Sequence, residues 1–323
     1  MQIVNVQAIN LDKLQIPTHS CMPDLSGNQN ETWAVIDHNR LISICSLWLK
    51  NAPAFKDYNT SVLGNFFTQD RQAGKELLLH AVARAKMLGS EYVIGPMNGS
   101  TWSKYRLVTE AGTSPPFLME YYTPAEWPEI FVSAGFEEIA TYYSASTEQI
   151  VYEDRSATKF IAKQRELGVT IRPFNKAQAT SDLTAIHALS LQSFSKNFLY
   201  TDISLADFLA VYEKILPYVV PEFFLLAEHR GKLVGFIFAI PDFLKKQMGK
   251  EVDSLIIKTV AKIPDRTYAG LGNYLVYTIH QRAAEKGFKE IIHALMYDSN
   301  VSRSISNKSA QTIRKYTLYG KQS

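Results

Sequence analysis

The sequence has few cysteines and no long apolar run. Only Cys21 and Cys45 occur among its 323 residues, so we expect no disulfide framework and a reducing, cytoplasmic location. No stretch approaches the roughly 18 apolar residues that are needed to span a bilayer. The first residues have neither the basic start nor the apolar run of a signal peptide. A membrane partner is therefore not expected.

An excess of charge of either sign is also missing. The formal net charge is only +3, whereas nucleic-acid binding needs clustered Lys and Arg. One basic cluster near the C-terminus is interpreted as a solvated face: Arg303, Lys308, Arg314 and Lys315. The seven histidines are scattered, without the spacing of metal ligands. The sequence thus predicts neither a nucleic-acid partner nor a metal site.

What the chain does contain is the same order of elements twice. Each half has a β-hairpin with a short polar turn, at residues 32–49 and 223–240, and then another apolar strand, at residues 61–67 and 253–263. An amphipathic helix follows each strand and ends at Gly89 or Gly287. A further strand comes directly after each glycine. This spacing predicts a right-handed parallel crossover in each half.

The repeat predicts an α/β (α+β) chain of two tandem modules. Each module is expected to have a mixed, mostly antiparallel central sheet with flanking helices, and the chain is long enough for two such cores. The first module is placed at residues 1–145 and the second at residues 169–323. The polar linker between them, residues 146–168, contains a helical stretch around residues 158–166.

The most informative segment is residues 254–287. A strand runs into a loop with Gly270 and Gly272, and the loop becomes the start of a helix. The free N–H groups and the positive dipole end of a helix N-terminus bind phosphates, and glycines let a ligand approach the backbone closely. A tight strand-to-helix turn without a ligand is the alternative interpretation.

With Pro264 six residues before Gly270, the segment resembles the coenzyme A-binding motif of the GNAT N-acetyltransferase superfamily. That pattern is V-x-P, followed by Q/R-x-x-G-x-G/A. Pro264, Gly270 and Gly272 match in register, but Lys262 stands at the Val position and Thr267 at the Gln/Arg position. A Rossmann dinucleotide site is disfavoured, because its third glycine is missing.

The resemblance covers the whole second module and implies acetyl-coenzyme A as co-substrate. The residues that it implies for binding are Lys262, Arg266, Thr267, Tyr268, Ala269, Gly270, Leu271, Gly272 and Asn300. Thr267 is expected to donate through its backbone amide, so the departure from Gln or Arg need not abolish binding. The oxyanion donor is expected near Lys262.

Catalytic residues remain unassigned. The family usually has a Tyr, about seven residues after the position of Asn300, that protonates the leaving thiolate, and here that position is Asn307. Tyr316 and Tyr319 lie in a later strand, interpreted as an edge strand with one solvated face, although either hydroxyl could serve as the acid. A bound water, Asp253 or Glu222 could be the base, and nothing in the sequence selects one.

The first module resembles the same fold without a working cofactor loop. Glu76 stands where the family needs Gly or Ala, and its carboxylate would repel a pyrophosphate. An aromatic-rich stretch, from Trp102 to Trp127, either lines a ligand site or packs the two modules together, and packing is favoured.

These observations favour an acyltransferase that moves the acetyl group of acetyl-coenzyme A to a small-molecule or peptide amine by direct attack. One alternative is a non-catalytic coenzyme A-binding or ligand-sensing protein, which Asn307 favours. Another is a transfer-RNA-dependent aminoacyl ligase of the Fem type, which the loop at Gly270 and Gly272 disfavours. The amine and the oligomeric state are not specified by the sequence.

Overall fold

The computed structural model describes residues 1–8, 13–151, 155–298 and 310–323. Within them, thirteen strands form a single sheet. The strands are β1 Gln2–Asn5, β2 Glu31–Asp37, β3 Arg40–Trp48, β4 Thr60–Thr68, β5 Tyr92–Gly95, β6 Leu107–Glu110, β7 Glu137–Thr147, β8 Thr170–Pro173, β9 Phe224–His229, β10 Lys232–Pro241, β11 Ser254–Lys262, β12 Glu290–Tyr297 and β13 Gln311–Gln322. The helices are α1 Arg71–Met87, α2 Trp127–Ser133, α3 Arg155–Glu166, α4 Ala179–Phe194, α5 Leu205–Glu213, α6 Leu244–Gln247 and α7 Leu271–Glu285.

The predicted repeat is confirmed in the order of strands. Strands β1 to β4 form an antiparallel series, and β4 pairs in parallel with β5 across α1. Strands β8 to β11 repeat this series, and β11 pairs in parallel with β12 across α7. The mixed, mostly antiparallel sheet with flanking helices is therefore present in both halves.

The two crossover helices form for the reasons that their sequences indicate. The buried face of α7 consists of Leu271, Leu275, Val276, Ile279, His280 and Ala283, at helical spacing. Gly287 has a φ of +80° just after the helix, which is the left-handed conformation that ends many helices. The helical stretch predicted around residues 158–166 is confirmed, because α3 spans Arg155–Glu166.

The last strands of the two halves are exchanged. β13, at the end of the chain, lies between β5 and β7 of the first half, and β7 also pairs with β12 of the second half. The prediction that residues 313–319 form an edge strand is therefore wrong, because β13 is paired on both sides. The alternating pattern did not reveal this, since β13 carries buried residues on both faces. The module boundaries drawn from the sequence remain a prediction.

For Arg314, the prediction that the basic cluster near the C-terminus is a solvated face is wrong. Arg314 is 1% exposed, and it pairs with a buried carboxylate described below. Lys315 is half-buried, and its Nζ lies 2.8 Å from Glu110 Oε1. Arg303 and Lys308 lie outside the described residues.

Apolar cores cover the two faces of the second half's sheet. One core packs α4 and α5 against Phe224, Phe236 and Ile256, and the other packs α7 against Leu225, Ile237 and Leu255. The alternation along each strand supplies both faces. No helix in the described part of the chain is both long and apolar enough to cross a membrane.

A pair of buried histidines lies between α7 and β12. His280 Nε2 is 3.4 Å from His293 Nε2, and His280 Nδ1 is 3.0 Å from the Ile150 carbonyl oxygen. Burial lowers the pKa of His280, and burial followed by repulsion from His280 lowers the pKa of His293 to about 3. Both imidazoles are therefore neutral in the folded protein near neutral pH.

We expect the free energy of unfolding to fall as the pH drops below the ordinary histidine pKa of 6.5. In that range the unfolded chain takes up protons that the folded pair does not, at up to about 1.4 kcal/mol per pH unit for each histidine. His293→Gln should flatten this dependence in urea unfolding at pH 7.5, 6.5 and 5.5, whereas exposed His38→Gln should not. Equal slopes for wild type and His293→Gln would contradict the expectation.

Candidate functional site

The second half contains a splay where β11 and β12 separate. The two strands pair in parallel up to Ile257↔His293 and no further. Beyond that pair β11 pairs with β10 and β12 pairs with β7. Residues 258–262 and 294–297 therefore form the two sides of the splay. An extended ligand can add to the free edges of such strands through backbone hydrogen bonds.

Both strands are bulged at the splay. The register of β10 and β11 shifts between Phe238 and Ala239, which leaves Lys258 as an extra residue on β11. β12 is bulged against β7 nearby, and Leu295 there has a φ of +62°. Bulges re-aim backbone groups and are common beside functional sites. The point of separation thus lies earlier on β11 than Lys262, near which the resemblance places the oxyanion donor.

The loop after β11 leads to an uncapped helix N-terminus. Gly270 precedes α7 with a φ of +86°, and no side chain of the described residues caps the helix. The N–H groups of Leu271, Gly272 and Asn273 have no partner inside the helix, and the positive end of the helix dipole lies there. The Leu271 side chain itself is buried in the core, so this residue offers its backbone only. The geometry predicted for phosphate binding is present in these backbone groups.

The backbone of Thr267 is already bonded within the loop. Its N–H donates to Asp265 Oδ1 at 2.8 Å, in the short 3-10 turn Arg266–Tyr268. This hydrogen bond lowers the pKa of Asp265, so the carboxylate is ionised near neutral pH. A phosphate would have to displace it to reach the amide. The Thr267 N–H is therefore not the free donor that the resemblance implies.

The remaining residues of the predicted set surround the same loop. The Tyr268 hydroxyl lies 2.9 Å from His229 Nδ1, and the Lys262 ammonium donates to the Ile263 carbonyl at 3.1 Å. Arg266 and Ala269 are exposed. Asn300 and Asn307 lie outside the described residues.

The linker helix α3 lies against the start of α7. A Cβ added at Gly270 would be only 2.2 Å from Phe160 Cδ1. Gln164, fully buried, donates through Nε2 to the Ala269 carbonyl at 3.2 Å. One side of the helix N-terminus is thus covered by the chain, and a ligand has access from the side of the exposed residues 264–267.

In the first half the corresponding splay is filled by the chain itself. β4 is bulged at residues 65–66, where Asn65 has a φ of +49°. The Asn65 N–H donates to Asn98 Oδ1 at 2.7 Å, and Asn98 Nδ2 donates to Asn65 Oδ1 at 2.7 Å. A Cβ added at Gly64 would be 2.2 Å from the Met97 carbonyl oxygen. The amide at this bulge is therefore occupied by the protein's own side chain.

The first-half helix N-terminus is occupied as well. Asp70 caps α1 by accepting the Ala73 N–H at 2.7 Å, and this carboxylate neutralises the helix dipole. Glu76 accepts from Gln72 Nε2 at 2.9 Å on the helix surface. The sequence singled out Glu76 alone, whereas the filled splay and the Asp70 cap also oppose a phosphate here.

A cavity of about 300 Å³ lies between the two halves and adjoins the second-half splay. The first half contributes residues 102–106 and 119–121, β13 contributes Tyr316, and β12 contributes Leu295. Because Leu295 belongs to the bulge at the splay, a molecule in this cavity would lie beside the separated strands.

The aromatic-rich stretch has members with different roles. Trp102 and Tyr121 line the cavity, and Trp102 Nε1 also donates to the Thr201 carbonyl of the second half at 2.8 Å. Trp127 is fully buried, with its ring 5.2 Å from that of Phe66 in the first-half core. The stretch therefore both packs the halves together and lines the cavity.

Glu120, which lines the cavity, forms a buried ion pair with Arg314. Glu120 accepts from Arg314 Nε at 2.7 Å and from the Tyr316 hydroxyl at 2.5 Å, and both charged side chains are 0% exposed. Arg314 also donates to the carbonyls of Ala111, Ser114 and Pro115. Burial and the Glu120 charge raise the pKa of Tyr316. Tyr316 lines the cavity, and its hydroxyl donates a hydrogen bond to Glu120. Tyr319 is buried in the first-half core.

Lys258 is a polar residue at the splay that the sequence analysis did not single out. It is half-buried, and its Nζ donates to the Met119 carbonyl at 3.1 Å. Burial, followed by the Arg106 charge, lowers the pKa of Lys258 to about 7. A single charged residue within the otherwise uncharged run 254–261 was the available signal.

The two carboxylates considered as bases lie elsewhere. Asp253 precedes β11, at the end away from the splay, and pairs with Lys245 at 2.7 Å. Glu222 pairs with Lys286 at 3.1 Å, beyond the C-terminal end of α7. Neither residue lines the cavity.

No protein-family model matches the sequence, and no curated protein matches it. Solved structures do match. A fungal multi-domain GH3 beta-N-acetylglucosaminidase with a GCN5-related glucosamine N-acetyltransferase region aligns with a TM-score of 0.54 and 12% identity, over 90% of this chain and 33% of that one. A GCN5-related N-acetyltransferase from Anabaena variabilis aligns with a TM-score of 0.54 and 9% identity, over 90% of this chain and 62% of that one.

A tandem GNAT protein from the clavulanic acid biosynthesis pathway aligns with a TM-score of 0.50 and 10% identity, over 90% of this chain and 82% of that one. The chain thus spans a third of the first of these proteins and somewhat less than two thirds of the second. At these identities the likeness establishes architecture. The chain has the GNAT fold, repeated in tandem.

Proposed function

We propose that the second half binds acetyl-coenzyme A at the β11–β12 splay and that the chain transfers the acetyl group to a small amine held in the adjoining cavity. The observation that carries the proposal is the difference between the halves. Within the described part of the chain, no side-chain hydrogen bond caps the start of α7, and the splay amide that a side chain occupies is that of Leu295 on β12, which donates to Ser144 Oγ at 3.1 Å. In the first half, Asn98 and Asp70 occupy the β4 bulge amide and the start of α1.

Particular residues support each part of this proposal. The backbone N–H groups at the start of α7 would hold the pyrophosphate, and the bulged backbone at Lys258 would hold the thioester carbonyl, as an oxyanion site does. Acetyl-coenzyme A supplies the thioester. A cytoplasmic location accompanies the proposal, because Cys21 and Cys45 are both unpaired and fit a reducing compartment.

Lys258 is the group that we assign to proton removal. An amine must be neutral to attack a carbonyl, and a general base works best with a pKa near the operating pH. Lys258 has a pKa of about 7 and is bonded to Met119, which lines the cavity. It is thus placed between the cavity and the splay.

A coenzyme A-binding protein without catalysis is the second candidate. Asn307 favours it, because this residue stands where the resemblance implies a general acid. Phe160 against Gly270 and Asp265 on the Thr267 amide hinder the seating of a pyrophosphate in both candidates alike. A Fem-type aminoacyl ligase remains as a third possibility from the sequence, and it would not bind coenzyme A.

Isothermal titration of the full chain with acetyl-coenzyme A is the first measurement, and we expect about one molecule per chain. Thiol release across an amine panel then separates transfer from binding alone. Binding without thiol release would favour the second candidate. Two molecules per chain would contradict the closed first-half splay, and no binding would overturn the proposal.

Gly272→Glu should weaken acetyl-coenzyme A binding by at least about tenfold, or ~1.4 kcal/mol. It places a carboxylate in the first turn of α7, where the pyrophosphate would bind, while a negative charge at a helix N-terminus does not destabilise the helix. Gly272→Ala is the matched control, because its Cβ would meet Val260 Cγ1 at an ordinary 3.6 Å. Gly270→Ala should instead lower the melting temperature, since φ is +86° there and Phe160 is in the way. Equal affinity in Gly272→Glu and Gly272→Ala would show that the loop is only a turn.

Lys258→Met should lower kcat/KM by at least about 100-fold and remove one limb of the pH profile. In the wild type, kcat/KM should rise with pH through about 7, where Lys258 loses its proton and becomes a base. Exposed Lys232→Met serves as the control and should leave the profile unchanged. A profile that keeps its limb near pH 7 in Lys258→Met would assign the base to another group.

A further inference from the structure

Arg106 is a buried cation beside the cavity, and the structure gives it no anionic partner among the described residues. The residue is 6% exposed, and it lines the cavity directly before β6. Its Nη1 atom is buried and has no hydrogen-bond partner in the part of the chain that the structure describes. A buried charge without a partner is strongly unfavourable.

The surroundings of Arg106 hold its guanidinium in place without neutralising it. The guanidinium carbon lies 4.0 Å from the ring centre of Tyr105, 4.4 Å from that of Tyr142 and 5.7 Å from that of Tyr316. Cation–π contacts of this kind orient a cation and stabilise it in part. They leave its N–H groups free to donate to a ligand.

Arg314 shows what a fully partnered arginine looks like in the same region. It is paired with Glu120 and bonded to three backbone carbonyls. Glu120 is in turn saturated by Arg314, the Tyr316 hydroxyl and the Phe117 N–H. The one buried carboxylate of the cavity wall is therefore already neutralised, and Arg106 remains as surplus positive charge.

We propose that Arg106 binds the carboxylate of the acceptor, so that the amine acetylated by this protein is an amino acid or a similar small amino-carboxylate. The identity of this molecule as an acceptor rests on the proposed function. The carboxylate site itself rests on Arg106 and the cavity alone.

Size and charge both select this ligand class. A volume of about 300 Å³ is at the lower end for ligand sites and suits a small molecule. Lys104 also lines the cavity but is exposed to solvent, so Arg106 is the buried cation there that needs an anion. One buried cation matches a monoanion, and the planar guanidinium fork matches a carboxylate in particular. Trp102 and Tyr121 on the same wall supply apolar surface for the body of the molecule.

Paired ligands test the carboxylate directly. Each amino acid of a panel is compared with the amine that lacks its carboxylate, by melting shift without acetyl-coenzyme A and by thiol release with it. In wild type, the amino acids should give larger melting shifts and at least tenfold lower KM values than their paired amines.

Arg106→Gln should abolish this difference, raising KM for the amino acids at least tenfold and leaving KM for the paired amines unchanged. Its kcat should fall alike for both members of a pair, because burial and, after it, the Arg106 charge lower the pKa of Lys258. Its melting temperature without ligand should be held or raised, because a buried unpaired charge is removed. Arg106→Lys keeps the positive charge but loses the planar fork of N–H donors. Its KM values for the amino acids should therefore lie between those of the wild type and those of Arg106→Gln. Arg71→Gln is the matched control, since Arg71 is exposed in its pair with Glu129, and it should change neither ligand class.

The outcomes separate this inference from the proposed function. A carboxylate-dependent melting shift that Arg106→Gln removes, without any thiol release, supports the anion site and overturns the transferase. A KM that is indifferent to the carboxylate, or that Arg106→Gln raises equally for both members of each pair, overturns the inference and leaves the transferase standing. The absence of any melting shift and of any carboxylate preference overturns the inference as well.

Discussion

The hydrogen bonding of β13 to β5 on one side and to β7 on the other is the constraint on which the rest of the molecule depends. Buried backbone N–H and C=O groups must be paired, so pulling the halves apart would expose unpaired groups on all three strands. Because β7 also pairs with β12 of the second half, the exchange joins the two modules into one sheet. The loop at residues 102–121 is thereby held in a fixed position over the second half, and the cavity owes its walls to this arrangement.

The same strand brings the buried charges together. β13 carries Arg314 and Tyr316 to Glu120, which lies almost two hundred residues away along the chain. Burying an ion pair costs free energy that only a complete set of partners offsets, and the groups around Glu120 and Arg314 form such a set. Arg106 lies in the same wall without an acidic partner among the described residues. In one environment, therefore, two arginines differ in whether the protein supplies their anion, and that difference points to a ligand.

Local signals in the sequence were sufficient for the repeated architecture. The apolar spacing of α7, its closing Gly287 and the short polar hairpin turns each act within a few residues, so the hairpins and crossovers could be predicted. The partner of β13 could not be predicted, because a strand with buried residues on both faces pairs with whichever edges the tertiary fold presents.

Lys258 and Arg106 were missed for a related reason. The pKa of Lys258 depends on a loop 139 residues away, and an arginine in a sequence does not show whether an acid will reach it. The motif was sufficient to locate the loop around Gly270 in the sequence. The contacts that Asp265 and Phe160 make there could not be predicted, because they depend on the folded chain.

The two halves share a fold, but they differ in whether the protein's own side chains bond the polar backbone groups at the strand bulge and at the start of the helix. In the first half, Asn98 accepts from the bulge amide of Asn65, and Asp70 accepts from the Ala73 N–H at the start of α1, so neither amide is open to a ligand. A first half closed in this way does not need to keep its own cleft clear, and its loop is free to reach across. It does so through Trp102, which bonds Thr201, through Met119, which accepts from Lys258, and through Leu118, whose N–H donates to Asp242. The closed half thus becomes a structural part of the open half's site: it contributes the wall, the aromatic surface and the unpaired arginine, while the open half contributes the splay and the helix N-terminus.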